Sequence, residues 1–236
     1  MKIKGVIFDF GGTLDTAGCH WGMMLWRAYQ IHQVPVSEPQ FREAYVFGER
    51  TLGQNPIIQA HDTFRKMLDV KIKIEMEYLR DKGIWTCDEQ LCRQKYDAIL
   101  DDLYGQVVST TRKSREVLLT LKDTLPLVLV SNFYGNMSVV LEEFGMNGIF
   151  SQIIESAVVG IRKPDSRIFQ MGVEAMGLQP EEVLVVGDSL EKDIAPAQHI
   201  GCKTAWLEGE GWAPVRDASI VPDWTIHTIK EVKATL

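Results

Sequence analysis

From Leu125 to Leu207 the chain alternates short, uninterrupted apolar runs with amphipathic stretches, and this alternation constrains the fold more than any other feature. The runs "LPLVLVSN", "SQIIES", "EEVLVVGD" and "CKTAWL" are separated by "MSVVLEEFG", "SRIFQMGVEAMG" and "EKDIAPAQHIG", whose apolar residues recur three and four apart. A strand that is apolar at every position is buried on both faces, and a parallel sheet sandwiched between helices is the architecture that does this. The opening run, Ile3 to Phe8, is of the same kind and ends in Asp9 and a Gly-Gly pair, and "DWTIHTI" supplies a last strand-like piece. The expected fold class is α/β, a doubly wound parallel sheet.

Between the first run and the second the texture changes. From about His20 to about Val108 the segments "HWGMMLWRAYQIH", "SEPQFREAYVFGERTL", "NPIIQAHDTFRKMLDVKIKIEMEYLRDKG" and "CDEQLCRQKYDAILDDLYGQVV" read as successive amphipathic helices. Ser37 with Gln40 offers a capping box, and Asn55 with Pro56 a second helix start. A further helix, Ser114 to Lys122, leads into the second apolar run. The expected organisation is a core made of residues 1–15 and 110–236, with a helical domain, 16–109, inserted after the first strand.

At 236 residues and 45% hydrophobic, the chain has room for one sizeable core and one smaller attached domain. The 32 acidic against 25 basic residues give a net charge of -7 with no basic stripe, so its field repels polyanions and no nucleic-acid partner is expected. No apolar run reaches membrane-spanning length and the N-terminal run is too short for a signal peptide, so neither a membrane partner nor export is expected, and a cytoplasmic location is. Cys19, Cys87, Cys92 and Cys202 match no zinc or redox spacing and read as reduced thiols. The five histidines show no ligand spacing, which disfavours zinc chemistry.

Ligands of an open parallel sheet bind at the carboxyl ends of its strands. Three runs end in polar residues of compatible chemistry, first Asp9, then Ser131-Asn132, then Gly187-Asp188-Ser189, to which "RKPD" adds Lys163 in a loop before a helix. Carboxylates from two strand ends suit a hard divalent cation, a lysine neutralises phosphate oxygens, and a strand-end hydroxyl donates to them. Taken singly, Asp9 could be a helix N-cap, Lys163 a surface charge and "GDS" a turn; the joint occurrence at successive strand ends favours a site.

The segments "DFGGT", "SN", "RKPD" and "GDSLEKD", in this order, resemble the phosphatase branch of the haloacid dehalogenase superfamily, and the resemblance runs essentially the whole chain, its helical block matching that family's cap. It implies a Rossmann-like core and a Mg²⁺-dependent phosphomonoester hydrolase acting on a small phosphorylated metabolite through an aspartyl-phosphate. By position, Asp9 would be nucleophile and metal ligand, with the Gly11 carbonyl and Asp188 as further ligands and Asp193 supporting the metal. Thr13, Ser131, Asn132 and Lys163 would hold the phosphoryl group or its neighbours, Lys163 also shielding Asp9. A monomer is expected, with a homodimer as the alternative.

One departure matters. The family's phosphatases carry an acid/base aspartate two residues after the nucleophile, and here stands Gly11. A positioned acid/base contributes on the order of 10²–10⁴ in rate. Three consequences are open: Asp15 as surrogate, although an Asp there more often serves a turn; a substrate with a good leaving group; or poor turnover. The alternative functions are a phosphonatase-like hydrolase, which needs a Schiff-base lysine among Lys66, Lys71, Lys73 and Lys82, and a non-catalytic phosphometabolite-binding protein. The metal-free dehalogenase branch is disfavoured by Asp188 and Asp193. His20, Trp21, Trp26, Tyr134 and Arg162 are further candidates for lining a pocket.

Overall fold

The computed structural model describes residues 2–212 and 218–236. The first strand, β1 (Gly5–Phe8), is followed by four helices, α1 (Trp21–Ile31), α2 (Glu38–Gln54), α3 (Phe64–Asp81) and α4 (Glu89–Lys122). Strands and helices then alternate: β2 (Leu127–Ser131), α5 (Met137–Glu143), β3 (Gln152–Glu155), α6 (Ser156–Val159), α7 (Arg167–Met176), β4 (Val183–Gly187), α8 (Ala195–His199), β5 (Lys203–Leu207) and β6 (Trp224–Ile226). All six strands pair in parallel, in the order β3-β2-β1-β4-β5-β6. The α/β expectation is met, with β1 at the centre and the connections running first to one side of it and then to the other.

Alternate residues of the central strands serve two cores. Val6 and Phe8 point into the cluster shared with α1–α4, whereas Ile7, Val128, Val130 and Val185 pack against α7 and α8. Every one of these side chains is fully buried, which is why β1, β2 and β4 read as continuous apolar runs.

Several local expectations are corrected. Asn55 closes α2 instead of opening a helix; α3 begins at Phe64, where the Thr63 side chain accepts from the Lys66 amide. The Ser37–Gln40 capping box is present. The segments around 89–108 and 114–122 form one helix, α4, continuous through positions 109 and 110, because Thr111 and Ser114 keep its buried stripe unbroken. The thiols are not all free: Cys87 and Cys92, with Cα atoms 5.9 Å apart at the start of α4, form a disulfide, and Cys19 and Cys202 remain free thiols. Among the described residues no helix is long and apolar enough to cross a membrane.

Candidate active site

Asp9 leaves the carboxyl end of β1, its amide donating to Val186 O, and its side chain is buried between the ends of β2 and β4. Lys163 Nζ donates to Asp9 Oδ1 at 2.6 Å and to Asp193 Oδ1 at 2.7 Å. Ser131 Oγ reaches Asp9 Oδ1 at 3.2 Å, and Thr13 Oγ1 donates to Asp9 Oδ2 (3.3 Å) and Asp188 Oδ1 (3.0 Å). Lys163, Ser131 and Thr13 thus converge on the carboxylate of Asp9, with Asp193 joined to it through Lys163 and Asp188 through Thr13.

Backbone geometry holds this cluster tightly. Gly12 has φ +95, and a Cβ there would lie 2.4 Å from Asp188 Oδ1; at Gly187 a Cβ would lie 2.4 Å from Asp193 Cβ. Glycine at both places lets the carboxylates close in. Asp193 sits in a single π-helical turn, Leu190–Ile194, and its Oδ2 accepts from the Ser189 amide at 3.1 Å. Asn132 clamps Lys163 through both of its backbone polar groups: Asn132 Nδ2 donates to Lys163 O (3.1 Å) and Lys163 N donates to Asn132 Oδ1 (2.9 Å).

Burial disfavours charge on these groups, and their neighbours decide the outcome. Burial pushes the Asp9 carboxyl up to about 6 against the pull of Lys163, with Asp193 adding to the rise. Asp188 is raised by burial and then by Asp193 and Asp9. Lys163 also suffers burial, but Asp193 and Asp9 outweigh it and hold its ammonium above the ordinary lysine value. Three carboxylates share one cation. Asp9, Asp188 and Asp193 each offer an oxygen, all within 4.8 Å of one another, so the uncompensated negative charge and the all-oxygen donor set fit a hard divalent cation.

The position of the missing acid is open: a Cβ on Gly11 would meet nothing within 4 Å. Asp15 does not fill the gap. Its Oδ1 accepts from the Gly12 amide at 2.7 Å and its Oδ2 from Trp21 Nε1 at 2.9 Å, so both oxygens tie the turn after β1 to α1, and burial raises it to about 7.

Above the cluster lies a cavity of about 380 Å³, within the range of small-ligand sites. Asp9, Gly11, Ser131, Asn132, Lys163, Asp188 and Asp193 line its floor; Thr13 lies beneath them, committed to the two carboxylates, and is not on the wall. His20, Trp21, Tyr134 and Arg162 do line it, whereas Trp26 packs against Phe41 away from it. His20 caps α1, its Nδ1 accepting from Gly22 N, and stacks on Trp212; burial, then nearby Lys192, pulls it down to about 4 and leaves it neutral.

The polar part of the wall opposite Asp9 is not predicted from sequence, apart from Lys71 as one of four helical-domain lysines. Lys71 and Glu49 face the cavity from α3 and α2, joined at 2.5 Å, with Tyr45 beside them and Trp212 reaching over from the loop after β5. Lys71 was not separated from the other three in sequence, but a signal was available: it lies on the apolar stripe of α3, where Phe64, Met67, Leu68 and Ile72 are buried.

The fold and this constellation define a class of hydrolase. The haloacid dehalogenase-like hydrolase family matches residues 3–201, and the chain belongs to that family. It is 38% identical to phosphoserine phosphatase of Thermus thermophilus over 37% of the chain, but that match spans only 34% of the relative's length. Over 98% of this chain and 95% of the relative it is 28% identical to phosphoglycolate phosphatase of Chromobacterium violaceum. Among solved structures, the hydrolase YfnB of Bacillus subtilis, determined with magnesium bound, superposes with a TM-score of 0.63 at 19% identity, covering 100% of this chain and 99% of its own.

Proposed function

We propose that the protein is a phosphomonoester hydrolase acting on a small phosphorylated metabolite, with Asp9 as nucleophile. The observation that carries the reading is the convergence of Lys163, Ser131 and Thr13 on one buried carboxylate at the floor of a cavity. The named activities of the two relatives, both phosphatases, support it.

In the first step an Asp9 carboxylate oxygen forms a bond to phosphorus as the bond to the leaving oxygen breaks, and that oxygen departs with the electron pair. In the second, water attacks the aspartyl-phosphate, releasing inorganic phosphate and restoring the carboxylate. Lys163 neutralises charge on Asp9 and on the transferring oxygens, while Asn132 fixes the lysine's backbone. Ser131 donates to the nucleophile and faces the phosphoryl position; Thr13 orients Asp9 against Asp188. Asp9, the Gly11 carbonyl and Asp188 would hold Mg²⁺, with Asp193 supporting them, and the ion when bound would stabilise the charge developing on phosphoryl oxygens. The inserted helices act as a cap, and the inner wall supplied by α1, α2 and α3 excludes bulk water from these steps.

With Gly11 in place and Asp15 committed to the turn, no side chain on the floor is free to protonate the leaving oxygen. At equal binding, substrates with good leaving groups, such as acyl phosphates, should therefore turn over faster than alkyl esters. The phosphonatase alternative requires a neutral cap lysine; Lys71 lines the cavity, but against its burial Glu49, with Tyr134 and Tyr45, holds it protonated, which argues against a Schiff base. Phosphate release with Mg²⁺ should be measured on p-nitrophenyl phosphate, acetyl phosphate and sugar phosphates. Asp9→Asn should lower turnover by at least about 10³-fold and EDTA should do the same; release that survives Asp9→Asn would overturn the mechanism.

A further inference from the structure

The cavity has two chemically different ends. Its floor is anionic around Lys163, and Arg162 and Lys192 also line the cavity. Its helical wall carries an ion pair, Lys71 Nζ to Glu49 Oε1 at 2.5 Å, set among aromatic rings. The Lys71 side chain is 7% exposed and Glu49 34%, so the carboxylate is the member of the pair that a ligand meets most directly. Lys71 Nζ lies 5.7 Å from the Trp21 ring centroid, and Tyr45 and Tyr134 stand beside it on the same wall.

With the phosphoryl group on Asp9, whatever leaves must occupy the space before this wall. Three kinds of leaving group can be compared. At the wall, one bearing a carboxylate or second phosphate finds Lys71 already neutralised and Glu49 facing it with like charge, which leaves it only the cations away from the ion pair, Arg162 and Lys192. An apolar one removes water from the ion pair and replaces none of its hydrogen bonds. An uncharged polyhydroxylated one does neither: a hydroxyl can donate to Glu49 while its oxygen accepts from Lys71, and its C–H faces can lie against Trp21, Tyr45 and Tyr134.

We infer that Lys71 and Glu49 are specificity-determining residues that select a neutral polyol leaving group, making sugar phosphates the substrate class and excluding phosphorylated carboxylic acids. This rests on the phosphohydrolase reading for the placement of the phosphate. It also sets the chain apart from the two phosphatases named above, since phosphoserine and phosphoglycolate both carry a carboxylate.

The test compares kcat/KM for glucose 6-phosphate, phosphoglycolate and phenyl phosphate, with Mg²⁺. Glucose 6-phosphate should exceed phosphoglycolate by tenfold or more. Glu49→Gln leaves Lys71 uncompensated, and the glucose 6-phosphate to phosphoglycolate ratio should then fall at least tenfold. A merely structural role would depress both substrates together and leave that ratio in place. If Glu49→Gln does not fold, the double variant Lys71→Met with Glu49→Leu, which removes both charges, should lower glucose 6-phosphate relative to phenyl phosphate by at least tenfold. A wild-type preference for phosphoglycolate, or variants that scale all three substrates equally, would overturn the inference.

Binding separates this from the catalytic reading. In Asp9→Asn, quenching of the cavity tryptophans, Trp21 and Trp212, should report tighter binding of glucose 6-phosphate than of phosphoglycolate. That order with no turnover by the wild-type protein would remove the hydrolase and keep the polyol site. Turnover of acetyl phosphate without that order would do the reverse.

Discussion

The two ends of the cavity are built by different rules. On the floor, Asp9, Ser131 and Asp188 each leave the end of a parallel strand, and strand pairing fixes their positions to one another: Phe8 is in register with Leu129 and with Val186. Their placement is set by backbone hydrogen bonds and needs little help from side-chain packing. The wall is assembled from α1, α2, α3 and the loops after β2 and β5, which meet largely through side chains such as Phe64, Phe41 and Trp212, with one backbone bond from His20 N to Glu210 O. The floor can therefore stay constant while the wall is remodelled, and chemistry and selectivity come apart physically.

The floor's own gap offers the largest test of this separation. Gly11→Asp introduces a carboxyl into open space, beside three acids that would favour its protonated form. It should raise turnover of poor-leaving-group esters such as glucose 6-phosphate by about 10²-fold, with a much smaller gain on acetyl phosphate. Equal gains would mean that the shared hydrolysis of the aspartyl-phosphate limits the rate; no gain on either would mean that leaving-group protonation is not limiting or is already supplied by another donor, and Asp15 would be the first to replace.

The same contrast explains what could be read in advance. The sheet, its parallel sense and the floor residues were legible because apolar runs terminate in polar residues at the strand ends, and a short motif there is local in sequence. Comparison with the family added roles but not geometry. Of the wall, His20, Trp21, Tyr134 and Arg162 were legible because each lies beside a motif or at the start of the helical block; Glu49, Lys71 and Trp212 were not, because they are distant in sequence and meet only after α2 and α3 pack. Position-specific errors follow the same logic. Asn55-Pro56 looks like a helix start, but the Thr63 cap wins, and the break expected between 108 and 114 vanishes because Thr111 and Ser114 bury their hydroxyls against Val107 O and Leu14 O. Trp26 has the spacing of a pocket residue and turns instead toward Phe41.

A smaller effect probes the interior behind the wall. Glu75, one turn beyond Lys71 on α3, is fully buried beside Tyr29, and burial raises its carboxyl from 4.5 to about 8, with Lys71 opposing and Glu49 adding to the rise. A group that binds its proton more tightly when folded gives stability that is fully present below about 4.5 and is lost as pH rises through about 8. The slope for one proton is at most about 1.4 kcal/mol per pH unit. Glu75→Gln, which cannot ionise, should gain on the wild type in chemical denaturation by up to that slope across this window, and the two should run parallel above it. A constant difference at every pH would show that Glu75 does not change its charge on unfolding.

The smallest effect concerns the strap that joins the two ends. Trp212 comes from the loop after β5, on the sheet side, yet it lies against His20, Tyr45 and Phe41 of the helices, and a Cβ on Gly22 would stand 2.6 Å from its ring. Arg42 holds it from the far side: the guanidinium is 3.8 Å from the ring centroid, and both terminal nitrogens donate to Trp212 O at 3.3 Å. Lysine keeps the charge but has neither the planar face nor the fork. Arg42→Lys should therefore cost about 0.5–1 kcal/mol, the worth of a half-exposed cation–π contact, and lower the melting temperature by about 1–4 °C. Because the strap touches the wall and not the floor, KM for sugar phosphates should change more than kcat on acetyl phosphate. A fall in kcat on acetyl phosphate larger than the change in KM would mean that the strap also sets the floor, and the two ends would have to be treated as one mechanical unit.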